Sequence, residues 1–433
     1  MKVLIADSGG RGHAIAWQFK NDPNVKEVIC VPGNAGIARE IRCENARTNE
    51  EILDLARREK VDLVFVGPES PLTKGIVDLF QPEGIPIVGP QKRAAVLESS
   101  KGYTKLLCRE IGVPIPEFEV FDEPEKAKDY ISHVGYPVVV KADGLAQGKG
   151  SIVCSDAEEA FRAVNQLMVE KIFQEAGARV VIEKRLYGTE ISFFVFTDGE
   201  ALAPMPVARD YKRAYDNDEG LNTGGMGAYS PHRLEGDDLT KLVCEEVAMP
   251  LIQGFTKKEG MPYKGILYCG LMLVEGTPHL LEANVRLGDP EAEVILPRLK
   301  TPLSDISFQI INGVLSEKKV EWSTDYLCDV VAAAGRTRQI RQGKNKGWYP
   351  GYPARYGKGY PISGIEDVRD PDCKIFFAGV SNSETKGMVT DGGRVLHVVG
   401  RGKTLKDAVD VAYRNTEKVH FEGMRYRRDI GKE

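Results

Sequence analysis

The chain has 433 residues, of which 42% are hydrophobic and 28% charged, with a formal net charge of −5. That is an ordinary soluble, globular composition, and it calls for no nucleic-acid or membrane partner. The length predicts about two to four domains, because single cores stop growing near ~250–300 residues. No apolar run approaches the ~20 residues of a membrane-spanning helix. The eight cysteines are scattered without a C-x-x-C pair. They read as free thiols in a reducing, cytoplasmic setting, and the lack of short-spaced ligand pairs argues against a zinc site.

From residue 1 to 101, short apolar runs alternate with helical patterns. Val3–Ala6, Val28–Val31, Leu63–Val66 and Ile87–Val88 read as strands, each followed by a Gly- or Pro-containing loop. This predicts a parallel sheet with helices on both faces, and ligands meet such sheets at the carboxyl ends of the strands. The pattern changes near Pro114–Pro116. Residues 121–187 read as a small α+β lobe in which Pro137–Lys141 and Ser151–Val153 flank a turn, Gly144–Gly150. A central unit is expected from 102–120 and 188–325, with strands Ile191–Phe196, Gly265–Val274 and Leu280–Glu282. A C-terminal β-rich domain is expected over 326–433, opening on Val330–Ala334. The fold class read from this order is α/β and α+β, multidomain.

Four segments carry chemistry. The turn Gly144-Leu145-Ala146-Gln147-Gly148-Lys149-Gly150 could fold its backbone over phosphates, with Lys141 and Lys149 supplying charge. It is not a P-loop, and a plain hairpin turn is an equal reading. Val180–Glu183 ends a strand in an acid, and Glu190 follows seven residues later, a spacing that suits adenine and ribose or, alternatively, solvated strand-end acids. Glu282-x-Asn284-x-Arg286 places residues i and i+2 on one strand face, chemically coherent as a site for a hard cation and phosphate. Asn222–Pro231 holds three glycines within four positions, read either as close approach to a ligand or as a flexible loop.

The order of Lys101, the Lys141 turn, Glu183 with Glu190, and Glu282-x-Asn284-x-Arg286 resembles the ATP-grasp superfamily. Gly9–Ala14, Pro32–Gly36, Val66–Glu69, Lys141–Leu145, Asn222–Pro231, Gly288–Glu291, Asp391–Leu396 and Tyr426–Gly431 narrow the resemblance to the phosphoribosylamine–glycine ligase family over the whole chain. It implies an ATP-grasp fold with an N-terminal parallel-sheet domain and a C-terminal β-rich domain, using ATP and Mg²⁺, with Mn²⁺ as a substitute. Lys101, Lys141, Gly148 and Gly150 would meet ATP phosphates. Glu183, Arg185 and Leu186 would meet adenine, and Glu190 the ribose. Glu282 and Asn284 would hold the metal. Arg286 and Lys141 would be catalytic. Gly10, Arg11, His13, Gly33, Asn34, Gly67, Pro68, Glu69, Gly225, Met226, Gly227 and Asp289 would hold glycine and the ribosylamine.

The implied partners are therefore these small molecules alone, with the chain a monomer or weak dimer. The chain departs from the family pattern at Gly12, where Glu is usual, and at Arg209 and Tyr211, where Gln and His are usual. It also departs at Lys184 and Leu221. Gly12 and Arg209 leave the amine acceptor open, so a sister ligase with another acid or amine is the alternative. Gly9-Gly10-Arg11-Gly12 is only loosely similar to a dinucleotide fingerprint, and its spacing does not fit one.

Overall fold

The structure is a computed structural model that describes residues 1–146, 148–315, 320–341 and 344–432. Gln147, expected in the glycine turn, lies outside the described residues. Near the N-terminus, Lys2–Asp7, Glu27–Pro32, Arg42–Cys43, Leu63–Val66 and Ile87–Val88 form a parallel sheet with Lys2–Asp7 at its centre. Alternation along that strand fills both faces. Leu4 packs with Ile52 and Val64, whereas Val3 and Ile5 pack with Phe19 and Phe65. Helix Asn49–Glu59 covers part of this sheet, and a reciprocal cap between Thr48 and Glu51 starts it.

The small lobe is a four-stranded antiparallel sheet in the order Phe118–Phe121, Val180–Lys184, Val138–Ala142, Ser151–Val153. Helices Pro124–His133 and Ala157–Val164 give it a separate core around Val140, Leu167 and Ile182. The central sheet runs Leu202–Pro204, Thr189–Thr197, Gly265–Val274, Thr277–Asn284. Its last two strands are joined at Glu275-Gly276, both at positive φ (49° and 86°), which suits the twist of a tight hairpin.

The C-terminal sheet takes Arg209–Asp210, Gly227–Ser230, Tyr326–Ala334, Arg394–Gly402 and Cys373–Phe377 in that order, with Met424–Arg425 also on Tyr326–Ala334. Two expected boundaries therefore move. The small lobe begins at Phe118, because that strand pairs with Glu183 and its neighbours. Gly227–Ser230, read as central, pairs with Leu327–Val330 instead. Among the described residues no helix is long and apolar enough to cross a membrane.

Helix Leu405–Thr416 lies so close to Arg394–Gly402 that a Cβ on Gly400 would meet the Ala408 carbonyl and stand 2.5 Å from Ala412 N. Gly400→Val is expected to overpack this contact and cost about 1–3 kcal/mol. Gly236 faces open space, and Gly236→Ala should stay within about 0.5 kcal/mol. Urea midpoints of the two variants check this, and equal midpoints would contradict the packing argument.

Candidate active site

A cavity of about 840 Å³ lies where the small lobe, the central sheet, the N-terminal loops and the C-terminal region meet. Helix Lys101–Ile111 begins at its edge, with Ser100 accepting from Tyr103 N as its cap. Lys101 Nζ donates to Gly144 O at 3.1 Å, which ties the helix start to the glycine turn. One turn further on, Lys105 is buried and its Nζ lies 2.8 Å from Glu183 Oε2. Lys141, on Val138–Ala142, pairs with the other Glu183 oxygen and donates to Leu281 O at 3.0 Å. Burial pushes the Glu183 carboxyl up, but the two ammonium groups overcome it and hold the carboxyl below its ordinary value. Desolvation lowers both Lys101 and Lys105.

The far side of the cleft is formed by the central hairpin. Lys212 Nζ sits 2.6 Å from Glu190 Oε1 and 3.2 Å from Glu282 Oε1, bridging two carboxylates on neighbouring segments. Burial raises the Glu282 carboxyl, and Lys212, Lys141 and Lys101 more than offset it, holding the group at about 2. Asn284 lies on the same wall. With its amide nitrogen set toward Glu98 it donates to Glu98 Oε1 at 3.1 Å. Arg286 follows, held by Glu98 Oε1 at 2.8 Å and Glu69 Oε2 at 3.3 Å. Glu98, which the sequence reading missed, also accepts from Val285 N at 2.8 Å.

The glycine turn is folded down over the cavity. Gly148 adopts φ +73°, and a Cβ there would lie 3.2 Å from Thr223 O. Lys149 Nζ donates to Pro353 O at 3.1 Å and lies 5.1 Å from the Tyr352 ring centroid. Asn222 Nδ2 donates to Ser151 O at 3.0 Å. Tyr352 and Arg394 bring the C-terminal domain to the cleft: Tyr352 Oη accepts from Gly224 N at 2.9 Å, and Arg394 donates to Gly224 O at 2.6 Å.

Of the residues singled out in the sequence, Arg11, Pro68, Glu69, Lys101, Lys141, Gly148, Gly150, Glu183, Arg185, Leu186, Glu190, Glu282, Asn284, Arg286 and Asp289 line this one cavity. The other expected substrate contacts stand elsewhere. His13 is fully buried; its Nδ1 accepts from Phe377 N at 2.9 Å and its Nε2 meets Glu40 at 2.7 Å. Desolvation lowers its pKa, so it is a neutral tie between the first helix and the C-terminal sheet.

Asn34 is spent in the same junction, donating to Phe377 O at 2.8 Å and accepting from Gly36 and Ile37 N–H groups. Gly33 closes against Cys43, and Gly67 against Asp7. Gly10 closes against Glu293 and His397, Gly225 against Pro290 and Asp210, and Gly227 against the Asp329 carbonyl. Met226 is fully buried. These glycines pack their bare Cα atoms closely against neighbouring elements.

Lys105, Glu98, Lys212, Tyr352 and Arg394 were not assigned in advance. Lys105 had a readable signal, standing four residues after Lys101 on one helix face. Tyr352 had none, since its loop is distant in sequence.

Two antiparallel sheets closing on a lysine- and carboxylate-lined cleft under a glycine flap define an ATP-grasp enzyme. Domain profiles of phosphoribosylglycinamide synthetase match residues 1–98 (N domain), 99–292 (ATP-grasp domain) and 349–433 (C domain). A phosphoribosylamine–glycine ligase from Archaeoglobus fulgidus is 43% identical, with the match covering 100% of this chain and 99% of that one. The crystal structure of the phosphoribosylamine–glycine ligase of Thermotoga maritima superposes with a TM-score of 0.82 at 36% identity, covering 99% of this chain and 100% of that one. A biotin carboxylase domain from Hydrogenobacter thermophilus, solved with MgADP, shares the fold at a TM-score of 0.68 and 17% identity, over 98% of this chain and 91% of that one. The chain belongs to the phosphoribosylglycinamide synthetase family.

The depressed Glu282 carboxyl gives a pH prediction. Its folded value, about 2, lies below the ordinary value of 4.5. The stability it contributes is therefore complete above pH 4.5 and is lost as pH falls toward 2. Glu282→Gln cannot titrate, so wild type should lose more stability than the variant between these pH values. Denaturant midpoints across the window check it; parallel curves would show that the lysines do not act on this carboxylate.

Proposed function

We propose that the chain joins glycine to 5-phospho-D-ribosylamine at the expense of ATP, a step of purine synthesis. The glycine carboxylate attacks the γ-phosphorus of ATP, breaking the bond to the β,γ-bridging oxygen and giving glycyl phosphate and ADP. The ribosylamine nitrogen then attacks the acyl carbon, losing a proton and expelling inorganic phosphate, so that glycinamide ribonucleotide forms. Activation is needed because oxide is too poor a leaving group for an amine to displace from a carboxylate.

One observation carries this reading: Lys101, Lys141, Glu282, Asn284 and the Gly148–Gly150 flap share a single cavity with Arg11 and Asp289 on its other wall. Adenine fits against Glu183 and the main chain of Arg185 and Leu186, and the ribose hydroxyls against Glu190. Lys101 and Lys141 meet the phosphates. Lys212 holds Glu190 and Glu282 in place until nucleotide and metal take them over. A carboxylate kept ionised beside an amide is an oxygen donor set that fits Mg²⁺ or Mn²⁺, which would neutralise charge on the triphosphate when bound.

Arg286, fixed by Glu69 and Glu98, stands ready for the charge that develops on the transferred phosphoryl group. Arg11, Pro68, Glu69 and Asp289 are the chain's contacts for the acceptor side. The closed flap keeps water from the acyl phosphate. Eight free cysteines, five of them at 0% exposure, suit a reducing cytoplasm.

Phosphate release measured with ATP, glycine and freshly generated phosphoribosylamine, omitting each in turn, tests the reading. Release should require all three, and release driven by another acid would replace glycine as the substrate. Glu282→Ala should lower ADP formation by about 10²–10³-fold or more while leaving the fold intact; retained ADP formation would remove the metal assignment. Gly148→Pro, whose ring excludes the positive φ found here, should lower kcat by keeping the flap from its closed conformation, and unchanged kinetics would make the turn merely structural.

A further inference from the structure

Beside the cleft, and outside the nucleotide contacts, three acids and a histidine are sealed into the junction of three parts of the chain. Asp289 and Glu293 come from the loop and helix Glu291–Ile295, and Asp329 and His397 from the paired strands Tyr326–Ala334 and Arg394–Gly402. Glu293, Asp329 and His397 are each at 0% exposure. One ligand atom from each of Asp289, Glu293 and His397 lies within 4.8 Å of the others. His397 Nδ1 bonds Asp329 Oδ2 at 2.7 Å, which leaves Nε2 facing Asp289 Oδ1 at 3.6 Å. His397 Nε2 and both Glu293 oxygens have no hydrogen-bond partner among the described residues. The first helix passes at Gly10, where a Cβ would stand 2.5 Å from Glu293 Oε1 and 2.7 Å from His397 Nε2.

The geometry points to a structural site for one divalent first-row transition ion, held by Asp289, Glu293 and His397 Nε2. Asp329 behind His397 gives the carboxylate–histidine–metal arrangement that fixes an imidazole tautomer for metal binding. One imidazole with two carboxylates is a donor set for Zn²⁺, Mn²⁺ or Fe²⁺, and not for an ion that demands oxygen alone.

Charge supports the assignment. The three carboxylates face Arg394, 3.0 Å from Asp289 Oδ1, and Arg11 is already paired with Asp7. Neutralising the remaining two negative charges takes two protons or one divalent ion. A buried water would supply hydrogen bonds but no charge. The ion would then pin the C-terminal sheet and the first helix onto the segment that carries Asp289, independently of the site at Glu282.

The test uses the full chain purified without chelator. Elemental analysis should find about one equivalent of Zn, Mn or Fe. After stripping, Co²⁺ added to the protein should give a visible d–d band at one equivalent, which Zn²⁺ abolishes and millimolar Mg²⁺ does not. Glu293→Gln and His397→Gln should lose the band, and Glu282→Ala should keep it. No band with the wild-type chain overturns the proposal, as does a band lost in Glu282→Ala but kept in both cluster variants. The wild-type titration decides the matter even if a cluster variant does not fold.

Discussion

The cleft is built around one electrostatic constraint: the ammonium groups of Lys105, Lys141 and Lys212 must each meet a carboxylate. Taking a lone charge out of water costs several kcal/mol, and pairing repays this only where geometry is good. Lys105 and Lys141 satisfy the two oxygens of Glu183 from opposite sides. Lys212 satisfies Glu190 and Glu282 together. These pairs come from a helix start, two small-lobe strands, the central hairpin and a loop of the C-terminal sheet. No one of those elements can bury its charge alone. The lobes are therefore held in register by the same groups that face the ligand, and the network is self-neutral enough to stand before any ligand arrives.

The flap completes that network mechanically. Its backbone runs close to Thr223 and Gly224, and Lys149 reaches the C-terminal Pro353 carbonyl. Arg394 grips Gly224 O and Asp289 O, each at 2.6 Å. The small lobe, the glycine segment and the loop before Glu291–Ile295 thus meet at one guanidinium and one tyrosine from the C-terminal domain.

Much of this was readable in the sequence, and the limits have physical causes. Strands buried on both faces, such as Leu63–Val66, announce themselves as apolar runs, and Gly265–Val274 was read to its ends. Glu282 and Asn284 could be read onto one strand face from their spacing alone, and both line the cavity. Arg11, Glu69, Asp289 and Arg394 line it from points far apart in sequence, and no local period reports such a meeting. A glycine's spacing does not report what its bare backbone faces. Gly10, Gly33, Gly67 and Gly225 looked like backbone left bare for a ligand, and they are backbone left bare for a neighbouring element. His13 misled for a related reason: a lone histidine after a loop is as often a buried, fully bonded tie as a contact.

The departure at Gly12 follows from the same close packing. A Cβ at position 12 would lie 2.5 Å from Asp7 Cβ and 2.7 Å from Asp7 Cγ, so an acid at 7 and any side chain at 12 exclude each other here. Asp7 is itself buried; its carboxylate accepts from Ser8 N at 2.6 Å and Gly9 N at 2.9 Å, and it pairs with Arg11 Nε at 3.1 Å. Arg11 also donates to Leu287 O at 3.0 Å, which fixes its guanidinium at the cavity edge. The corner thus holds one carboxylate, at the end of the first strand, and one oriented arginine. Gly12 therefore leaves this edge of the cavity with a charged pair. Arg209 and Asp210 also line the cavity, where Asp210 is half-buried and pushed toward its protonated form by desolvation and Glu291.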